Sequence, residues 1–258
     1  MCLSTIRRRK VIFEKILLFL FASLIFIISG LSFLLKTNNG KLFIHDIVVE
    51  SREGFPYHAR LYRPVSASSI DPYPAALLSY GTGCDRSCGD YAAVTLTKNG
   101  FIVLSIESFG QGKTSKKPDD YTENCIDAGY TFLNTRSFTD HNNISLAVWT
   151  DAAETAADAN SLEYFSSVVL VFPEENLLRK FSDNRLHIYD KQTGKSEMIA
   201  GAKTLSFIIN AFRNGAENNI SYSEFEPTLL LYCRLFQIIL SAVIVFCGTD
   251  LFFFQNAK

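Results

Sequence analysis

The sequence lacks several features that would assign a function directly. It contains only 4 histidines, and no two of them have metal-ligand spacing with nearby carboxylates, so we expect no metal site. The 25 lysines and arginines are balanced by 26 aspartates and glutamates, and no basic aromatic surface is evident, which argues against a nucleic-acid partner. No internal repeat or low-complexity tract is present, and we expect no bound cofactor.

Long apolar segments do occur, and the first lies near the N-terminus. A basic segment, residues 1–10, precedes a predicted transmembrane anchor, residues 11–36, in which residues 16–35 carry no charge over 20 positions. As a helix, this run spans a hydrocarbon core of about 30 Å. The basic cluster should stay in the cytoplasm and place the main domain outside it. A cleaved signal peptide is the alternative, although the run is long for one and the Ser-Gly-Leu-Ser site is a poor match.

A second apolar segment, residues 228–254, follows the main domain and is predicted to cross the membrane as well. Arg234 and Gln237 lie near one end of it, where Arg234 can reach the interface. A buried helix or a helix on the lipid surface are the alternatives. Between the two segments lies the predicted exported domain, residues 37–226, with about 190 residues.

Residues 73–115 organise this domain and predict strand, loop, helix, strand and loop. The apolar run 75–79 stops at Tyr80-Gly81, residues 90–98 have apolar side chains at helical spacing, and Asn99-Gly100 ends that helix. A second apolar run follows at residues 101–106. Two such strands joined through a helix should lie parallel in a sheet covered on both faces, with any chemistry in the loops at their carboxyl ends.

This stretch resembles the α/β-hydrolase superfamily, especially its membrane-anchored esterase-like and peptidase-like members. Tyr80-Gly81 stands where the family has a His-Gly pair, Glu107 where it usually has Asp, and Gly110-Gln111-Gly112 matches its Gly-x-Gly loop. Residues 47–64 resemble its opening hairpin, and the likeness covers about residues 44–165. It implies an α/β fold, a parallel sheet with flanking helices that is incomplete here, and hydrolysis of an ester or amide through an acyl-serine.

The nucleophile that this chemistry needs is absent from the sequence. A hydrolase serine sits on a strained Gly-x-Ser-x-Gly turn between a strand and a helix, and no such motif occurs. We predict a helix over residues 145–165 and the nucleophile strand at residues 168–172, but Pro173 and two glutamates follow that strand. Ser196 is the nearest remnant and lacks the second glycine. We therefore assign no catalytic residue.

The remaining parts of a family active site are also hard to place. No histidine stands ahead of the predicted last helix, residues 202–213, where the family places its base. Two polar segments precede that helix. Residues 116–142 are predicted to form a long polar loop over the sheet edge, and residues 181–198 are predicted to form a polar hairpin. Backbone N–H groups at Gly81 and Thr82 are candidates for an oxyanion hole, and a plain glycine-rich turn is an equal alternative.

Cysteine and glycine patterns in the exported domain raise two further hypotheses. A disulfide between Cys84 and Cys88 is predicted, with Cys125 as an alternative partner for either. The segment at residues 110–114 invites a phosphate-binding interpretation, but the required first glycine is replaced by Glu107, so we reject it.

Three hypotheses on function follow. In the first, the chain is an internally deleted form of a membrane hydrolase acting on a small ester or peptide, broken near residues 165–185. In the second, it is a family member that has lost catalysis and binds a partner at the membrane. In the third, it is an unrelated membrane protein. The domain is predicted to be truncated or degenerate after about residue 165.

Overall fold

The computed structural model describes residues 2–81, 89–115, 124–149, 152–171, 186–189 and 202–213. The chain divides into two units, and the unit that includes Met1–Asn39 contains helix α1, Cys2–Lys36. Side chains of α1 are described at residues 15, 16 and 19–34, and several large apolar ones are exposed, among them Phe19, Phe26 and Phe33. Within the part of the chain that is described, no helix is both long and apolar enough to cross a membrane.

The second unit, Gly40–Tyr222, is built on one mixed sheet. Its described elements are, in chain order, β1 (Leu42–Glu50), β2 (Pro56–Pro64), β3 (Tyr73–Ser79), α2 (Asp90–Lys98), β4 (Ile102–Ile106), α3 (Cys125–Asn134), β5 (Thr139–Trp149), α4 (Ala152–Ala157), β6 (Ser167–Val171), β7 (Leu186–Tyr189) and α5 (Ala202–Phe212). The seven described strands lie in the order β1-β2-β4-β3-β5-β6-β7. β2 is antiparallel to β1 and β4, and the other neighbours are parallel.

The predicted hairpin and βαβ unit are both confirmed. β1 and β2 form the antiparallel hairpin, and β3 and β4 pair in parallel with Leu77 opposite Leu104. Helix α2 covers the predicted residues and ends at Asn99-Gly100, where Gly100 has a φ of +88°. Glycine adopts this left-handed backbone without the steric cost that a Cβ adds. Every residue of β4 is buried, as expected for a strand with helices on both faces.

Helices pack on both faces of the sheet and create two apolar layers. On one face, Ile126 and Leu133 of α3 pack over Leu77 and Leu146. On the other face, α2 and α5 pack over an equivalent layer of strand residues, Leu78, Val103, Ala147 and Val169. The helices contribute Leu96, Leu205 and Ile208 to this layer. Gly129 lets α3 approach the sheet, because a Cβ there would lie 2.7 Å from Leu77 Cδ1. The covered parallel sheet and its flanking helices agree with the expected α/β class.

Two predicted elements are wrong in the middle of the domain. The helix predicted over residues 145–165 is instead strand β5 followed by the short helix α4 and a 3-10 turn at Leu162–Tyr164. Residues 144–149 are buried on both sides between β3 and β6, so their apolar run reflects a central strand. The long polar loop predicted over residues 116–142 instead contains helix α3 and the start of β5.

The C-terminal part of the domain confirms two predictions and tests another only in part. β6 forms at the predicted strand of residues 168–172, and α5 forms at the predicted last helix. β7 lies within the predicted polar hairpin and pairs with β6 in parallel, and the second arm of that hairpin lies outside the described residues. The rest of residues 181–198, and the second apolar segment at residues 228–254, lie outside the described residues.

Candidate functional site

The edge of the sheet where β3, β4, β5 and β6 end is the position at which parallel α/β sheets bind ligands. The strand order reverses between β3 and β5, because the chain places β4 on one side of β3 and β5 on the other. Ligands in open α/β sheets bind in the crevice outside the carboxyl ends of the strands at such a reversal. Here the crevice lies between Ser79, the last residue of β3, and Trp149, the last residue of β5.

An aromatic pair lies at the carboxyl ends of the two strands that border this crevice. Tyr80 follows β3 directly, and its ring centroid lies 4.7 Å from that of Trp149 at an interplanar angle of 34°. Tyr80 is 2% exposed and Trp149 is 1% exposed. A side chain on Gly89 would overlap the Tyr80 hydroxyl, so the glycine leaves room for the phenol. The two rings therefore belong to the apolar layer that α2 and α5 cover.

Among the described residues, β5 is the strand that runs almost directly into a helix. The residues that follow β6 lie outside the described ones, so the nucleophile strand at residues 168–172 stays a prediction. β5 ends at Trp149 and α4 begins at Ala152, which is the strand–turn–helix arrangement that a nucleophile elbow requires. The sequence at residues 148–152 is Val-Trp-Thr-Asp-Ala, so Val148 and Ala152 stand where the motif has glycines. Residues 150 and 151 lie outside the described residues.

The predicted oxyanion-hole residues are only partly described. Gly81 is buried and follows Tyr80 at the end of β3, next to the crevice. Thr82 lies outside the described residues, as do Cys84 and Cys88, so the oxyanion hole and the disulfide between those cysteines stay predictions. Cys125, the alternative partner in that disulfide, is a free and buried thiol.

A cluster of two hydroxyls and a thiol lies beneath the same edge, and the sequence did not reveal it. Ser108 Oγ lies 3.4 Å from Cys125 Sγ and 3.4 Å from Ser79 Oγ. Burial raises the pKa of the Cys125 thiol, and hydrogen bonds from the two serines only partly oppose that shift. The thiol is therefore protonated at neutral pH and weakly nucleophilic. Ser79 ends β3, Ser108 follows β4 and Cys125 begins α3, so no local pattern links the three residues.

The histidines do not supply a base to this cluster. His45 stacks on Phe43 in β1, and His187 in β7 packs edge-on against Phe207. The backbone N–H of His58, and not its imidazole, donates a hydrogen bond to Thr114 Oγ1 at 2.9 Å. Among the described residues, no histidine side chain forms a hydrogen bond with a serine or cysteine. Such a pair is what activates a serine or cysteine nucleophile.

Glu107 organises the loop that follows β4. Its buried carboxylate accepts hydrogen bonds from the backbone N–H of Lys113 at 2.7 Å and of Thr114 at 3.1 Å, and from the Thr114 hydroxyl at 3.3 Å. Gly112 has a φ of +52° and lies against that carboxylate. The N–H groups that a phosphate would need are thus directed to an internal anion, which agrees with the rejection of a phosphate-binding loop.

A buried polar network holds the start of α2, the helix that follows the candidate oxyanion segment. The Tyr62 hydroxyl donates to Asp90 Oδ1, and Arg60 Nη1 donates to the same oxygen at 2.8 Å. Burial is the main cause that raises the pKa of Tyr62, and the Asp90 carboxylate adds to it. Arg60 also bonds Asp46 through Nε, so one guanidinium joins β1, β2 and α2. Within the described ranges, no group of three potential metal ligands is close enough to hold an ion.

No family model matches the sequence, and no curated protein matches it. Several solved structures are similar to this chain. One is the hypothetical protein PA2218 from Pseudomonas aeruginosa, which is 16% identical and has a TM-score of 0.44. The match covers 52% of this chain and 44% of that chain. Esterase Est22 has 16% identity, coverages of 71% and 63%, and a TM-score of 0.42. The α/β hydrolase GrgF from Penicillium sp. sh18 has 13% identity, coverages of 51% and 46%, and a TM-score of 0.39.

The chain spans less than half the length of the first two similar structures, 44% and 45%. The similar structures include esterases, α/β hydrolases and a peptidase.

Proposed function

We propose that this chain is a membrane-anchored, α/β-hydrolase-like protein that binds a partner and does not hydrolyse esters or amides. The observation that carries the proposal is the buried, stacked pair of Tyr80 and Trp149 at the carboxyl ends of β3 and β5. At the adjacent strand-to-helix turn, Val148 and Ala152 replace the glycines of an elbow. A β-branched residue and a packed aromatic pair both oppose the exposed serine that acyl transfer needs.

Exposure of apolar side chains on α1 supports the membrane part of the proposal. Phe26 is 81% exposed, Phe19 72% and Phe33 65%, and water penalises such a surface while lipid does not. The hydroxyl of Ser23 donates to the Phe19 carbonyl at 2.8 Å, which satisfies it inside the helix. With the basic residues 7–10, near the N-terminal end of α1, in the cytoplasm, the main domain lies on the opposite side of the membrane.

Two measurements in cells or vesicles test this arrangement. The full chain should stay with the membrane fraction after extraction with alkaline carbonate. Added protease should digest the main domain in intact cells or spheroplasts, in which the domain faces the outside. Release into the carbonate supernatant would contradict anchoring, and protection of the domain from protease would contradict the proposed orientation.

Labelling with a fluorophosphonate probe tests the absence of acyl-serine chemistry. The purified full chain is treated with the probe in detergent, and its intact mass and peptide map are recorded with an active serine hydrolase as control. We expect no adduct from a protein that melts cooperatively. A stoichiometric adduct at one serine would overturn the proposal, and Ser79→Ala and Ser108→Ala variants would show whether the edge cluster carries it.

Hydrolysis of a small ester or peptide is the competing function. The buried Gly81 at the end of β3, beside hydroxyls of Ser79 and Ser108, is the observation in its favour. The same labelling decides between the two functions. A chain that neither labels nor melts cooperatively would support the internally deleted hydrolase instead, and the gene would then be sequenced across residues 165–185.

A further inference from the structure

A cavity of about 320 Å³ opens on the face of the sheet that α3 covers. This face is opposite the Tyr80–Trp149 pair, which packs in the layer beneath α2 and α5. The cavity lies between the turn that joins β1 to β2, the first turns of α3 and the segment 160–164. Its volume is at the lower end of the range of about 300–1,000 Å³ that small-molecule sites occupy. It therefore suits a small ligand.

One wall of the cavity is held rigidly by a buried carboxylate. Asp127 accepts hydrogen bonds from the backbone N–H of Ser161 at 2.7 Å, and from the backbone N–H and Nδ2 of Asn160 at 3.3 and 3.4 Å. These three donors satisfy the Asp127 carboxylate within the wall. The bonds fix residues 160 and 161 against α3, although more than 30 residues separate them in the chain. Such a wall needs little ordering when a ligand binds.

Two tyrosines form an aromatic part of the lining. The rings of Tyr130 and Tyr164 stack with centroids 5.8 Å apart, and Tyr130 also contacts the buried Phe165 edge-on at 5.1 Å. Tyr164 stays 60% exposed, so an anchored ring presents apolar surface to solvent. Burial raises the pKa of Tyr130, and a hydrogen bond with Glu163 raises the pKa of Tyr164. Both phenols are therefore neutral hydrogen-bonding groups at physiological pH.

The polar groups of the lining are planar or hydroxylic and carry little net charge. Asn160, Thr131 and Ser161 supply an amide and two hydroxyls, and Ser161 Oγ is buried without a hydrogen-bond partner. Arg52 and Glu53 add one charge of each sign from an exposed turn. Carboxylates in the lining disfavour an anion, and the many polar groups disfavour an apolar ligand. An apolar ring surface beside planar polar groups suits a ligand that has an apolar face of C–H groups and hydroxyl groups around its edge.

We propose that this cavity binds an uncharged sugar, of one or two rings, with a C–H face against Tyr164 and its hydroxyls toward the polar wall. The site is independent of the proposed function, because it shares no residue with the crevice between β3 and β5. A ligand of this size is expected to have a dissociation constant on the order of millimolar.

Saturation-transfer NMR on the full chain tests the proposal. The protein is kept in an amine-oxide detergent, since a glycoside detergent would compete for the site. The probes are methyl glycosides of glucose, galactose, mannose and N-acetylglucosamine together with maltose and cellobiose, and free alanine and methyl phosphate, whose methyl protons are observable, serve as charged comparators. We expect transfer to ring protons of at least one sugar and none to the methyl protons of methyl phosphate. Absence of transfer to every sugar from a cooperatively melting chain would overturn the proposal.

Variants assign the binding to the cavity. Tyr164→Ala should weaken the sugar about fivefold to tenfold, the factor that loss of an aromatic contact produces, and Tyr164→Phe should keep most of the affinity. Ile70→Ala is the matched surface control, because Ile70 is 94% exposed and lies outside the lining, and it should change nothing. Equal affinity in Tyr164→Ala and the native chain would refute the site.

A variant that removes the charge of Glu53 distinguishes the binding of a sugar from the binding of a zwitterion such as free alanine. Glu53→Gln retains a planar hydrogen-bonding group, so sugar affinity should stay within about threefold of the native value. If alanine binds instead, and Glu53→Gln abolishes that binding, the ligand is an amino acid and the sugar proposal is wrong.

Discussion

Replacement of Gly112 by alanine should damage this domain far more than the same change at another glycine of similar backbone conformation. Gly112 has a φ of +52°, and a Cβ there would overlap the buried carboxylate of Glu107. Gly54 has a φ of +83° and no atom within 4 Å of a Cβ placed on it. The two positions thus share the left-handed backbone and differ in the space available, which makes Gly54→Ala the matched control.

The magnitudes follow from these two differences. A left-handed alanine costs about 1 kcal/mol, which is all that we expect for Gly54→Ala. At position 112 the new methyl group must also displace Glu107 from its three donors, and each hydrogen bond to a charged group contributes about 1.5–3 kcal/mol. With one or two of these bonds lost, Gly112→Ala costs about 3–5 kcal/mol. For a domain of this size, about 2–4 °C of melting temperature corresponds to each kcal/mol.

The assay is denaturant and thermal unfolding of the full chain in detergent, followed by the fluorescence of Trp149, the only tryptophan in the sequence. A Glu107→Ala/Gly112→Ala double variant adds a second check, because removal of the carboxylate makes room for the methyl group. Its loss of stability should fall short of the sum of the single losses by about 2 kcal/mol, the interaction that neighbouring sites show. Equal destabilisation by Gly112→Ala and Gly54→Ala, or strict additivity in the double variant, would refute the reasoning.

Three further predictions concern other polar and aromatic contacts. Asn124→Ala should lower stability by about 1–2 kcal/mol, because the Asn124 side chain caps α3 by accepting from two backbone N–H groups, whereas Asn124→Asp should keep most of it. The raised pKa of Tyr62 contributes stability that is complete below its ordinary value of 10.0 and declines as pH rises above it. Tyr62→Phe should remove that decline and lower the stability at neutral pH by about 1.5–3 kcal/mol, through loss of the bond to Asp90, as unfolding followed from pH 7 to 11 would show. Trp149→Ala should cost about 3–5 kcal/mol by opening a cavity beside Tyr80, measured by circular dichroism, and a loss below about 1 kcal/mol would mean that the crevice is not packed.

Local signals in the sequence were sufficient for the parts of the fold that short segments determine. The βαβ unit was predictable because apolar runs of strand length flank a helix that ends at Asn99-Gly100. The last helix was predictable from its apolar face. The hairpin was predictable from alternation, since β2 buries Tyr57 and Ala59 on one face of the sheet.

Other elements depended on contacts that a single segment does not reveal. β5 is buried on both faces and runs almost directly into α4, so Trp149, Ala153 and Ala156 fall at helical spacing across a strand–helix boundary. α3 was missed because its first turn holds Asp127, which the sequence presents as a surface residue. That carboxylate is buried because it accepts hydrogen bonds from residues 160 and 161, and these partners are distant in the chain. The cluster of Ser79, Ser108 and Cys125 was hidden for the same reason.

Contacts at the carboxyl edge of the sheet bear on the proposal that the chain binds a partner without catalysis. Glu107 accepts from the N–H groups of its own loop, and Tyr80 stacks on Trp149, so these groups bond to or pack against the protein itself. Such contacts stabilise the edge, and under the proposed function they keep these groups from a reacting substrate. The cavity beside Tyr164 lies on the opposite face and depends on none of them. Fluorophosphonate labelling and sugar binding therefore report on separate surfaces, and a negative result in one leaves the prediction for the other unchanged.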